Sequence, residues 1–271
     1  MSTVLIVNAD DLGLAPGINE GIFDALEAGL VSDASVLVTG AAAEHAVEGL
    51  YARGRRSAGL HLCLVDGERP AAPAVEVAPL LREGRFMRRN HLFRRVTVAR
   101  ESVLAAIATE VEAQFERARS LGLQITHVDS HQHVHLFPGI VDIVIAACRR
   151  HRVQLVRAPV TSIRSVGSAG IAALSRRLRQ RAPAAGVMPF PSLGFERSGR
   201  MTADAFQRYV NRARRIGAEV MVHPGRGRSH DHPAYAHWRY DWDRELQALR
   251  TGAGRQPLGA ISYAEALQAL G

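Results

Sequence analysis

The sequence contains no lysine: all 34 of its basic residues are arginine, against 26 acidic ones, for a formal charge of +8. An excess of positive charge points first to nucleic acid. Here the arginines are scattered as local pairs (Arg55-Arg56, Arg88-Arg89, Arg94-Arg95, Arg149-Arg150) in an alanine-rich chain, which is compositional bias, and no nucleic-acid partner is expected. Cysteine is nearly absent too. Cys63 and Cys148 lie far apart with no CxxC spacing, which excludes a disulfide framework. No apolar run approaches the ~20 residues of a membrane span. A basic segment at Arg176–Arg181 leaves contact with an anionic lipid surface or a phosphorylated substrate open, beside the plainer reading of a solvated helix face. Met1-Ser2-Thr3-Val4 does not begin a basic region, apolar run and cleavage site, so the expected compartment is the cytoplasm.

What is present is an alternation of short β-rich runs with helical patterns, the mark of βα units around a parallel sheet. Strands are expected at Thr3–Asn8, Ala34–Val38, Ser57–Leu64, Gln124–Val128, Gln154–Arg157 and Ala218–Val222, with a late one near Leu258–Ile261. Helical patterns fall at Gly17–Ala28, Ala42–Ala52, Ser102–Ser120, Gly139–His151, Ala169–Gln180, Ala203–Arg214 and Asp241–Leu249. Seven or so such units in 271 residues suggest one α/β domain over 1–271: a single irregular TIM-like (β/α) barrel with its active site at the C-terminal strand ends. An open doubly wound sheet is the competing architecture, and the missing glycine-rich phosphate loop after the first strand weakens it. Residues 66–100 are long and poorly periodic, and read as a loop excursion over the barrel mouth.

Four polar clusters sit at or near the ends of expected strands: Asp10-Asp11, His61 in Gly59-Leu60-His61-Leu62, the run Asp129-Ser130-His131-Gln132-His133-Val134-His135, and His223-Pro224-Gly225. Each has an ordinary explanation. Asp10-Asp11 suits a turn and a cap, and His61 suits a satisfied core histidine. The alternation of His131, His133 and His135 is harder to explain that way, because period two puts all three on one side of an extended segment. Together the clusters make a metal site the economical interpretation. His45, His91, His151 and His237 have no such context and are expected to be surface or structural.

These residues resemble the YdjC-like carbohydrate deacetylases, the family that includes chitooligosaccharide deacetylase. The signatures are Val7-Asn8-Ala9-Asp10-Asp11-Leu12-Gly13-Leu14, Gly59-Leu60-His61-Leu62, Thr126-His127-Val128-Asp129-Ser130-His131-Gln132-His133-Val134-His135 and Val222-His223-Pro224, and the match runs from Val4 to about Leu267. Leu62–Gly67 and Gly194–Thr202 look most like the hopanoid-biosynthesis branch. The resemblance implies an irregular barrel, one divalent ion (magnesium or zinc) on Asp11, His61 and His131, and Asp10 as catalytic base. His223, from a different strand, is the candidate to protonate the departing amine, with His133 or His135 able to share that role. Asp129 is placed to orient a ligand imidazole. The expected reaction removes an acetyl group from an amino sugar in an oligosaccharide or glycolipid, and a homodimer is plausible by analogy.

Two other functions remain. A metal-dependent phosphoesterase needs arginine near the metal, for which Arg157 or the Arg226/Arg228 pair is available. A non-catalytic carbohydrate-binding barrel is the second. The loop from Ser229 through Trp238, followed by Tyr240 and Trp242, mixes aromatic and hydrogen-bonding side chains as sugar pockets do, though those rings can equally pack the next helix.

Overall fold

The computed structural model describes residues 4–162, 166–228, 235–254 and 258–270. In chain order it contains β1 (Leu5–Leu12), α1 (Pro16–Glu27), β2 (Asp33–Val36), α2 (Ala43–Ala52), β3 (Ser57–Leu62), β4 (Leu81–Arg82), β5 (Arg85–Phe86), α3 (Arg89–Val98) and α4 (Arg100–Ser120). Then follow β6 (Gln124–Ser130), α5 (Ile140–Arg150), β7 (Leu155–Pro159), α6 (Val166–Arg181), β8 (Met188–Leu193), α7 (Ala203–Ile216), β9 (Ala218–Val222), α8 (Trp242–Ala253) and α9 (Tyr263–Leu270). Strands β1, β2, β3, β6, β7, β8 and β9 close, in that order, into a parallel barrel, with β9 returning to pair with β1. The helices around it make this an α/β, TIM-like barrel.

Period-two alternation sorts each strand between two environments. On β1, Val7 and Ala9 join the large apolar cluster that the barrel shares with its helices. The alternate residue Ile6 faces the barrel axis, in a small separate cluster with Leu155, Phe190 and Tyr263. Beyond that plug the inward positions turn polar: Asn8 and Asp10 on β1, Ser35 on β2, His61 on β3, His127 and Asp129 on β6, Arg157 on β7 and Glu219 on β9 are all buried. The C-terminal half of this barrel is therefore filled by a hydrogen-bonded polar network, with almost no apolar side chain in it.

The structure departs from the sequence-based expectations in three places. The barrel strand missing from the expected set is β8, whose Met188-Pro189-Phe190-Pro191 looks like a breaker. Met188 N donates to Gln154 O at 2.7 Å on the β7 side, while pairing with β9 begins only at Ser192–Leu193. The two prolines thus occupy alternate positions facing the side where no ladder bond is needed. Leu258–Ile261 is not a strand. Ile261 N donates one bond to Leu5 O at 2.9 Å, and α9 packs Tyr263 against the N-terminal strand ends. Finally, the excursion at 66–100 is not structureless: it holds the antiparallel β4–β5 pair and α3. Among the described residues no helix is long and apolar enough to cross a membrane.

Candidate active site

The C-terminal strand ends surround a cavity of about 470 Å³ whose lining includes Asp10, His61, His131, His133, His223 and Trp238. Asp10 and Asp11 are consecutive, so regular pleating would aim them to opposite faces. The chain breaks the pleat there. Asp11 adopts φ +66°, and the β1–β2 register shifts between Ala9 and Leu12. A left-handed aspartate is strained, and a bulge re-aims side chains. The result is that both carboxylates lie in one buried cluster.

Arg157, wholly buried, is the hub of the polar layer. Its guanidinium donates to Asp10 Oδ2 at 2.5 Å and Asp10 Oδ1 at 2.6 Å, lies 2.7 Å from Asp129 Oδ2, and also bonds Glu219. Asn8 Nδ2 adds a bond to Asp10 Oδ1 at 2.9 Å. Three buried carboxylates surround a single guanidinium, and Asp11 adds a fourth buried acid nearby, beside His61 and His131, so the cluster is short of positive charge. The pKa shifts record the shortage. Burial pushes the Glu219 carboxyl up to about 7 despite Arg157. Burial opposes charge on His61, yet Asp129 and Asp11 outweigh it and push the imidazole up to about 10. Asp129, flanked by Arg157 and His61, is held far below the ordinary carboxylate range even though burial acts the other way.

A site that draws a proton onto a buried imidazole so strongly is one that attracts a cation. Asp11 Oδ1 lies 3.4 Å from His61 Nε2 and 3.1 Å from His131 Nδ1, and donor atoms of all three residues fall within 4.8 Å of one another. Donors that share one ion at ~2.1 Å are separated by about 3–3.5 Å, so the spacing fits. Asp11 Oδ2 and His131 Nε2 are buried with no hydrogen-bond partner, an arrangement that costs stability unless something else occupies them. His61 Nδ1 donates to Asp129 Oδ1 at 2.9 Å, which fixes the tautomer and leaves Nε2 facing Asp11. Asp10, His61 and Asp129 form a second such group, but its carboxylates are already taken by Arg157 and Asn8.

Gly59 explains part of the β3 signature. A Cβ there would sit 2.3 Å from the His127 ring, so glycine lets that imidazole lie flat against β3 while it stacks on Tyr263.

The histidine run does not present one face. After β6 the chain coils into a short 3-10 segment, His131–Leu136, in which Gln132 and His133 take φ of 52° and 53°. His131 turns to Asp11, and His133 faces the cavity with Nδ1 unpartnered. His135 turns away: Nδ1 meets Ser130 Oγ at 2.6 Å and Nε2 donates to Arg157 O at 2.9 Å. With both nitrogens occupied outside the cavity, His135 has no free nitrogen with which to protonate a leaving group. Burial, reinforced by Arg157, holds the His133 pKa well below the ordinary imidazole value. His223 differs. Burial disfavours its charge, but Glu245 (3.8 Å from Nδ1) and Asp10 (3.9 Å from Nε2) outweigh that and raise it.

Several cavity residues escape the sequence-based assignment. Asp66, at φ +66°, accepts bonds on Oδ2 from Gln132 and from Trp238 Nε1 at 2.9 Å, and His237 Nε2 is 3.4 Å from the same oxygen. His237, expected to be surface or structural, therefore lines the cavity. The Trp238 ring centroid is 4.5 Å from that of His131, whereas Trp242 is core. Residues 229–234 of the aromatic loop lie outside the described residues. Glu219 and Glu245 did carry a signal, an acid inside an apolar β run or helix face. Asp66 carried none. The arginines suggested for phosphate are engaged elsewhere: Arg157 as above, Arg226 with Asp24 at 2.9 Å, and Arg228 with Asp241 at 3.6 Å.

The YdjC-like protein family model matches residues 4–258. The chain belongs to the YdjC-like family. A carbohydrate deacetylase of Mus musculus is 36% identical over 250 residues, covering 82% of this chain and 77% of the relative. A carbohydrate deacetylase of Geobacillus stearothermophilus is 33% identical, covering 83% and 80%. A chitooligosaccharide deacetylase of Klebsiella pneumoniae is 38% identical over a shorter 156 residues, covering 57% and 59%. Among solved structures, a candidate cellobiose-phosphate cleavage protein of Enterococcus faecalis shares the fold with a TM-score of 0.75 at 19% identity, over 98% and 99% of the two chains.

Proposed function

We propose that this chain is a metal-dependent carbohydrate deacetylase that hydrolyses the N-acetyl amide of an amino sugar and releases acetate. The observation that carries the metal is the buried set Asp11, His61 and His131, with its close donor spacing and orphaned atoms. The relatives' names carry the substrate class. A divalent ion on those residues, zinc or magnesium, supplies Lewis acidity toward a water and the acyl oxygen.

The chain's own groups supply the rest. Asp10, oriented by Arg157 and Asn8, is the base that takes a proton from the attacking water. His223, whose pKa Glu245 and Asp10 raise against the effect of burial, gives a proton to the departing amine nitrogen. His133, kept neutral by burial and Arg157, offers a hydrogen bond to substrate. Asp129 orients His61, while His135 holds the Arg157 backbone. The Trp238 ring beside His131 is an apolar face for a sugar ring. The phosphoesterase reading has little support, because Arg157 is committed to carboxylates.

Metal content and acetate release test this together. Asp11→Ala and His61→Ala are expected to lose bound metal by elemental analysis. Either variant retaining one ion per chain with full activity removes the assignment, and sugar binding without turnover at saturating metal favours a non-catalytic barrel.

A further inference from the structure

The excursion over the cavity mouth carries a charge pattern that the deacetylase reading does not use. Between residues 81 and 100 there are seven arginines and a single acid, Glu83. Among the described residues only Arg82 of the seven has a carboxylate within 4.0 Å, Glu83 at 3.7 Å. Arg88, Arg89, Arg94, Arg95 and Arg100 are exposed. Buried Leu92 and Val96 fix one face of α3 against the protein, which leaves His91, Arg94, Arg95 and Val98 outward. Val98 is 80% exposed, and it helps to line a groove of about 540 Å³ with Leu81 and Met87. At its other end the same helix begins with Arg88, Arg89 and Asn90, which line the active-site cavity.

From this we infer that α3 and the β4–β5 pair form a docking surface for an anionic lipid bilayer, one that brings the cavity mouth to the membrane. Arginines without a carboxylate partner gain about fivefold in partition each near an anionic bilayer, and an exposed valine between them can enter the headgroup–acyl boundary. Nucleic acid is the less favoured partner. The helix offers no aromatic face for bases to stack on, because Phe93 is already stacked on Phe137 at 3.7 Å. The inference rests on the deacetylase reading only for what the docked protein would act upon.

The test is co-sedimentation of the full chain with vesicles of phosphatidylcholine alone or containing phosphatidylglycerol, at low salt and at about 0.5 M salt. Wild type is expected to bind the anionic vesicles only, and to be released by salt. The variant Arg94→Gln/Arg95→Gln/Val98→Ser is expected to lose more than tenfold in partition. Its melting temperature and its acetate release from a water-soluble chitooligosaccharide should match wild type. No binding by wild type, equal binding to zwitterionic vesicles, undiminished binding by the variant, or tighter binding to an RNA oligonucleotide would each overturn the inference. Vesicle binding without acetate release would count against the deacetylase reading and leave the docking surface standing.

Discussion

Asp10 and Asp11 are chemically identical neighbours, and the structure gives them different partners. Asp10 is gripped by Arg157 and Asn8, whereas Asp11 faces two imidazoles and keeps one oxygen unpartnered. In the proposed mechanism that difference divides base from ligand. Asp10→Asn keeps the shape but cannot take a proton, so it should retain metal and lose about 10²- to 10⁴-fold in kcat; near-normal turnover would place the base elsewhere. Which residues gather at the site was largely legible, because Asp and His stood out at strand ends. What each does was not, since it depends on contacts across the barrel. Asp66 reaches Trp238 over 172 positions, and Asp129 reaches His61 over 68. The histidine run shows the limit in another way. Period two assumed an extended chain, and the left-handed Gln132 and His133 sent the three rings to three environments.

At the scale of elements, the β-branched runs of β1, β2, β3, β6, β7 and β9 were readable from the sequence because a parallel strand buried on both faces is apolar. β1 nevertheless continues past Asn8 to Leu12. The hydrophobic pattern stops where the barrel interior becomes polar, although the backbone pairing continues. Helix α1 shows how tightly the site loop is seated. A Cβ on Gly21 would fall 2.3 Å from the carbonyl carbon of Gly225, two residues after His223, while Arg226 N donates to Gly17 O at 3.0 Å. Gly21→Ala should therefore destabilise the fold by about 1–3 kcal/mol and depress kcat as His223 shifts. Gly170, in α6 with nothing within 4 Å of its would-be Cβ, is the contrast. Gly170→Ala should raise stability by roughly 0.5–1 kcal/mol. Thermal melts of the two variants check both signs.

For the molecule as a whole, the polar barrel interior makes stability depend on pH. His127 is buried, stacked on Tyr263, and burial pushes its pKa down to about 3; His135 is pushed down to about 4 by the same cause. An imidazole whose folded-state value lies below its unfolded value of about 6.5 stabilises the fold above pH 6.5. That contribution is lost as the pH falls toward the folded value. The loss amounts to about 1.4 kcal/mol for each pH unit in this window. Denaturant melts between pH 7 and pH 4 should show the stability of wild type relative to His127→Phe falling by about 1.4 kcal/mol per pH unit below about pH 6.5, on top of whatever constant offset the new ring's packing adds. A constant gap across that range would mean that His127 is not held neutral.

The central claim is that one buried ion site and one adjacent carboxylate together perform amide hydrolysis. It is tested most directly by acetate release from an N-acetylated chitooligosaccharide, using chelator-stripped protein reloaded with a single equivalent of zinc or magnesium. The account predicts that stripping abolishes release, that reloading restores it in wild type, and that Asp10→Asn takes up the same equivalent yet stays at least a hundredfold slower. Release that survives stripping, or no release at any metal loading, would contradict it.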